Sequence, residues 1–135
     1  MIFLLDSNAF SDLMRKDPHA ESHVAALAAN DQVVICPIVR GEILYGLARL
    51  PQGRRRDDLV KQAAPLFNSV GCLPIPESAA DAYASVKRTR EKSGSRLDEN
   101  DPWIAATAIA VGATLVTRDR AFASIEGLST TDWTV

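Results

Sequence analysis

Ile2-Phe3-Leu4-Leu5-Asp6-Ser7-Asn8 opens the chain and sets its architecture. Four consecutive apolar residues, without the alternation of a half-exposed strand, read as a strand covered on both faces. An acid closes the run, and Ser7 and Asn8 offer N-caps for a short helix through about Met14. The same alternation recurs outward from there. His19 to Ala29 is Ala-rich and reads as helix. Val33-Val34-Ile35-Cys36 is a second β-branched run, stopped by Pro37. Ile38 to Leu50 has helical spacing, with Ile43, Leu47 and Leu50 on one stripe, and Pro51-Gln52-Gly53 ends it.

Arg54 to Phe67 starts with three arginines and continues as helix. Cys72-Leu73-Pro74-Ile75 reads as a weak edge strand because of its proline. Glu77 to Lys92 is helical, and Ser93-Gly94-Ser95 loosens the chain after it. Pro102 to Val111 is apolar almost all round and so predicts a buried helix. Ala113 to Thr117 is a strand, Phe122 lies in a short helix beyond it, and Leu128 to Thr130 forms a last strand. Strands alternating with helices mean an α/β fold with a mainly parallel central sheet flanked by helices. No repeat or linker divides the chain, so residues 1–135 read as one domain.

Composition agrees. The 135 residues are 47% apolar and 24% charged, which supports one real core and excludes intrinsic disorder. Fifteen Lys and Arg against seventeen Asp and Glu leave a net charge of -2, so a nucleic-acid partner must meet a local patch, not bulk charge. Candidate patches are Arg54-Arg55-Arg56 and the group Lys87, Arg88, Arg90, Lys92 and Arg96; a solvated face balanced by Asp57, Asp58 and Glu91 explains them equally well. Met1 to Leu5 is too short for a signal peptide, and a membrane span needs about 20 apolar residues. The expectation is a cytoplasmic protein. Cys36 and Cys72, far apart in strand-like segments, read as small buried residues of a reduced chain.

Four acids stand where an open parallel sheet keeps its functional crevice, beyond the carboxyl ends of the strands. Asp6 follows the first strand directly. Glu42 lies in the first turns of the helix leaving the second, and Asp119 is two residues past Thr117. Asp101 precedes Pro102, a pattern that reads as helix N-cap followed by proline at the first helical position. Each has a plainer explanation alone: Asp6 and Asp101 as caps, Asp119 as a solvated turn residue. Glu42 fits that account worst, since Ile38 and Tyr45 share its helical face and an unpaired carboxylate beside apolar neighbours costs stability.

Carboxylates about 5 Å apart repel by roughly 3 kcal/mol per pair at an effective dielectric near 20. A divalent cation removes that cost, and all-oxygen donors select Mg²⁺ or Mn²⁺ over zinc. Metal-dependent phosphodiester hydrolysis is the natural chemistry of such a cluster. Two competing chemistries fail on single residues. An aspartyl-phosphate phosphatase needs a second acid where Asn8 stands. A zinc metalloprotease needs Glu after the first of two spaced histidines, but Ala20 follows His19 and separates it from His23, and both histidines read as exposed.

The segments Leu5-Asp6-Ser7-Asn8, Arg40-Gly41-Glu42-Ile43-Leu44-Tyr45-Gly46, Asn100-Asp101-Pro102-Trp103-Ile104-Ala105-Ala106-Thr107 and Thr114-Leu115-Val116-Thr117-Arg118-Asp119, with Phe122, resemble the PIN domain. Within it they look most like the VapC-type toxins of bacterial toxin–antitoxin modules. The match runs from Ile2 to Trp133 in the family's order. The resemblance implies a Mg²⁺- or Mn²⁺-dependent endoribonuclease, a homodimer, silenced by a VapB-like antitoxin in a heterotetramer or larger assembly. By position, Asp6 and Asp101 would be the principal metal ligands. Asp119 would be a further ligand or supporting acid, and Glu42 a ligand or water-orienting base, with Ser7, Asn8 and Thr117 supporting by hydrogen bonds. Pro102 stands where the family more often has an apolar residue, and Asp98 rivals Asp101. A catalytically idle, antitoxin-holding domain and an RNA-processing nuclease without antitoxin are the alternative functions.

Overall fold

The computed structural model describes residues 1–94 and 98–135; Ser95, at the end of the expected loose stretch, and Arg96 of the basic group lie outside the described residues. Five strands form one sheet in the order β3-β2-β1-β4-β5, and every pairing is parallel. They are β1 (Ile2–Leu5), β2 (Gln32–Ile35), β3 (Gly71–Cys72), β4 (Thr114–Val116) and β5 (Ser129–Thr131). The helices are α1 (Ser7–Met14), α2 (Pro18–Ala25), α3 (Pro37–Ala48), α4 (Arg54–Ser69), α5 (Ala79–Lys92) and α6 (Asn100–Val111), with a 3₁₀ turn at Arg120–Phe122.

The first strand takes the centre, as its unbroken apolar run demands. Leu4, Leu5, Ile35, Leu115 and Val116 are buried, and Phe10, Val39, Ile104, Ala105 and Ala108 bring the helices onto them. Six residues of α6 are buried, and α6 packs closely along α5.

Four local expectations change. α2 stops at Ala25 instead of Ala29, because the Ala28 amide donates to Asp31, whose carboxylate also pairs with the N-terminal ammonium at 3.1 Å. That clamp turns the chain into β2 against a helix whose last alanines have nothing to bury. His23 is half-buried, stacked on Trp133 with ring centres 5.8 Å apart. Cys72 is exposed on the sheet edge, whereas Cys36 is buried and burial pushes its thiol up. Asp101 is not an N-cap: α6 begins at Asn100, so Asp101 and Pro102 sit inside its first turn. Proline is tolerated there because its missing N–H would have no helical partner. Among the described residues, no helix is long and apolar enough to cross a membrane.

α6 ends at Gly112, whose φ of +69° is left-handed, and the Gly112 and Ala113 amides return to the last turn. No atom lies within 4 Å of where a Gly112 Cβ would stand, so the cost of a side chain is conformational only. Gly112→Ala should therefore lose about 1 kcal/mol of stability. Gly112→Asn should recover part of it. Denaturant titration of the three proteins checks the order.

Candidate active site

Parallel register assembles the crest. Leu5 pairs with Val116, so Asp6 and Thr117 emerge side by side one residue later. The Asp6 amide donates to the Val116 carbonyl at 3.1 Å, and the Thr117 amide to Thr131 at 2.9 Å, extending the ladder by one step at each strand. Asp6 is buried, and its Oδ1 accepts the Ala9 amide at 2.8 Å as the N-cap of α1. Burial pushes its carboxyl above the ordinary range; the Thr117 hydroxyl and the Ala9 amide oppose that rise. Asp6 is thus both the cap that the plainer account proposed and a buried acid at the strand end.

Glu42 lies in the second turn of α3, half-buried. The Ser7 hydroxyl donates to its Oε1 at 2.6 Å, and the Asn100 amide to its Oε2 at 3.3 Å. One carboxylate therefore joins α1, α3 and α6. These donors satisfy the group that sat uncomfortably among apolar neighbours, since a charged acceptor gains about 1.5–3 kcal/mol from a hydrogen bond.

Asp101 is half-buried in the first turn of α6, and its amide donates to the Asp98 carbonyl at 2.9 Å. Its carboxyl is pushed up to about 6, first by burial and then by repulsion from Asp98, Asp119 and Glu42. Asp98 is exposed and acts on Asp101 as a neighbouring charge. Asp119 is exposed; its amide donates to the Thr117 hydroxyl at 3.0 Å and its Oδ1 accepts the Ala121 amide at 2.9 Å. That carboxylate caps the 3₁₀ turn, so the turn role foreseen for it also holds.

Asp101 thus feels Glu42 and Asp119, so two of the other acids singled out in the sequence lie within its electrostatic reach. Asp6 stands beside Thr117, which also holds the Asp119 amide. Among the described residues no three acids, histidines or cysteines are gathered tightly about one point. The Ser7 hydroxyl meets Glu42 and the Thr117 hydroxyl the Asp119 amide, whereas Asn8 is exposed and makes no side-chain hydrogen bond among the described residues. Asn100 was missed as a donor to Glu42; its place beside Asp101 is the one sequence signal that could have raised it. Asp12, buried in α1, was missed too.

The donor set is all carboxylate oxygen, and mutual repulsion already burdens Asp101, so the residues fit a hard divalent cation. The basic groups are unequal. Lys87 is committed to Glu99 at 3.2 Å and to the Tyr83 hydroxyl, and Arg90 to Ser124 at 2.7 Å. Arg54 and Arg55 are exposed at the start of α4.

The PIN domain family pattern matches residues 3–128. A VapC ribonuclease from Sinorhizobium fredii is 32% identical over 87% of this chain and 87% of its own length. Ribonuclease VapC1 of Haemophilus influenzae is 29% identical over 99% of both chains. In the solved structure of VapBC-1 from nontypeable Haemophilus influenzae, one chain superposes with a TM-score of 0.88, at 28% identity over 100% of both chains.

The raised Asp101 carboxyl has a stability consequence. An acid raised from 3.8 to about 6 on folding binds its proton more tightly when folded. Its contribution to stability is fully present below pH 4 and is lost as pH rises through about 6. Asp101→Asn should therefore melt higher than wild type at pH 7 in EDTA, with the gap closing toward pH 4. Paired melting curves across that window check it; a gap independent of pH would mean that Asp101 carries no such strain.

Proposed function

The chain belongs to the PIN domain family, and on that footing we propose that its acidic crest is the active site of a ribonuclease toxin held in check by an antitoxin. The activity follows the named ribonucleases that match it along nearly their whole length, and the partner follows the solved VapBC pair. The observation that carries the reading is the setting of Asp101: it is half-buried, with Asp98, Asp119 and Glu42 near enough to help push its carboxyl up to about 6. A fold pays for such strain at functional sites more readily than elsewhere. The toxin reading is preferred to an RNA-maturation nuclease because the matching solved structure is a toxin–antitoxin pair.

The metal and the residue roles are our reading. Asp6, Asp101 and Asp119 would hold Mg²⁺ or Mn²⁺, which when bound lowers the pKa of a water and neutralises charge on the phosphodiester. Glu42, fixed by hydrogen bonds from Ser7 and Asn100, would coordinate the metal or orient the attacking water. Thr117 holds the Asp119 amide, and its hydroxyl keeps Asp6 closer to its charged form than burial alone would. Asn8, exposed beside Ser7, is free to meet substrate or antitoxin. We read residues 1–135 as one cytoplasmic domain that forms a homodimer and, with antitoxin, a heterotetramer or larger assembly.

The direct test is cleavage of total RNA by purified protein with Mg²⁺, repeated in EDTA and with Asp101→Asn. Cleavage should vanish in both controls; persistence in EDTA would remove the metal from the scheme. If total RNA is left intact, growth arrest on expression, relieved by Asp101→Asn, would identify a selective enzyme. Metal binding has its own readout. Mg²⁺ at a hundred times its dissociation constant should stabilise wild type by about 2.7 kcal/mol. Asp101→Asn should lose most of that gain.

A further inference from the structure

An acidic crest that works on RNA has an electrostatic problem, because its own charge repels the polyanion it must hold. The chain carries a net charge of -2, so general attraction does not solve it. A solution stands on the β4 side of the crest. Asp12, in the second turn of α1, is buried at 7% exposure and serves two arginines at once. Its Oδ1 accepts from Arg15 at 2.7 Å, while Arg118 reaches Oδ2 through Nε at 3.3 Å and Oδ1 through a terminal nitrogen at 3.5 Å. Yet both arginine side chains are about half exposed, at 57% and 45%.

A surface ion pair is ordinarily worth at most about 1 kcal/mol and wastes side-chain entropy. This one is different in kind. A single buried carboxylate immobilises two guanidinium groups and leaves the trio one positive charge in excess. Each guanidinium has five N–H donors and spends only one or two of them on Asp12. Arg118 stands between Thr117 and Asp119 in the chain, and its charge reaches far enough to lower the carboxyls of Asp6 and Asp132. By contrast, Arg54 and Arg55 lie at the start of α4, near the turn joining it to α3.

We propose that Arg15 and Arg118, held in place by Asp12, form a seat for a backbone phosphate of single-stranded RNA beside the acidic crest. The proposal rests on the ribonuclease reading and names the group that meets the substrate outside the scissile bond. Planar guanidinium forks suit phosphate, and holding two of them ready removes ordering cost at the moment of binding. The seat contacts phosphate and not base edges, so it adds affinity and register without sequence preference.

The test uses the full chain carrying Asp101→Asn, so that RNA is bound and not cut, with a short oligouridylate as the probe. Affinity is followed by fluorescence anisotropy from low to moderate salt. Each phosphate contact to a single strand contributes about 0.7 to the slope of log K against log salt. Arg118→Gln and Arg15→Gln should each flatten the slope by about that amount. Between 50 and 200 mM salt, each variant should then lose about 2.6-fold less affinity than the parent. Arg118→Lys, which keeps the charge, should keep the slope. In the active chain, Arg15→Gln and Arg118→Gln should raise KM. If Arg118→Gln fails to fold, Arg15→Gln carries the test, since its side chain is the more exposed.

Unchanged slopes in both glutamine variants, with the parent still binding RNA, would overturn the seat and leave the ribonuclease reading standing. A loss confined to kcat, with affinity unmoved, would also overturn it, and would make the trio a brace for the Thr117–Asp119 loop. A parent that neither binds RNA nor, without Asp101→Asn, cuts it would remove the ribonuclease reading and the seat together.

Discussion

The pairing of β1 between β2 and β4 is the constraint on which the rest of the molecule depends. Because both pairings are parallel, all three strands leave the sheet at one edge, and whatever follows them in sequence is delivered to one crest. The pairing is specified by burial: Leu4, Leu5, Leu115 and Val116 are enclosed, and a one-residue slip would turn each to the opposite face. The 3.1 Å bond from the Asp6 amide to Val116 carries that register one residue further, into the site. Acids drawn from β1, α3, α6 and the β4 exit share a neighbourhood because hydrophobic strands elsewhere are in step.

The price of that gathering is visible in the groups around it. Each acid is held by hydrogen bonds that the fold already needs. Asp6 and Asp119 cap a helix and a turn, and Glu42 joins three helices through Ser7 and Asn100. Asp101 is the exception. Among the described residues its carboxyl is eased only by a backbone hydrogen bond at Asp98, and it collects the repulsion of Asp98, Asp119 and Glu42. Structural duty and mutual repulsion are thus unevenly shared among the acids.

The strands were legible because apolar runs of four or five residues bounded by acids or prolines leave few other readings. Three acids could be placed from strand exits alone. Asp101 was assigned the wrong local role, since Asp-Pro suits a cap equally well and only the preceding Asp98–Asn100 turn moves the helix start back. The end of α2 was hidden because it depends on Asp31 meeting the N-terminal ammonium, a contact between residues thirty positions apart. Asn100 to Glu42 and Asp12 to Arg118 are longer-range still. Spacing reveals periodic burial within an element; it does not reveal which polar side chains meet when elements pack.

The sheet also has an unusual perimeter. Its outer strands, β3 and β5, are two and three residues long, and Pro74 follows β3 closely. An open sheet presents unpaired amides and carbonyls at both margins, and long flat margins recruit other chains. Here the template is too short to pair with much, and a proline interrupts its continuation. The chain therefore brings little of the self-templating edge that leads to aggregation.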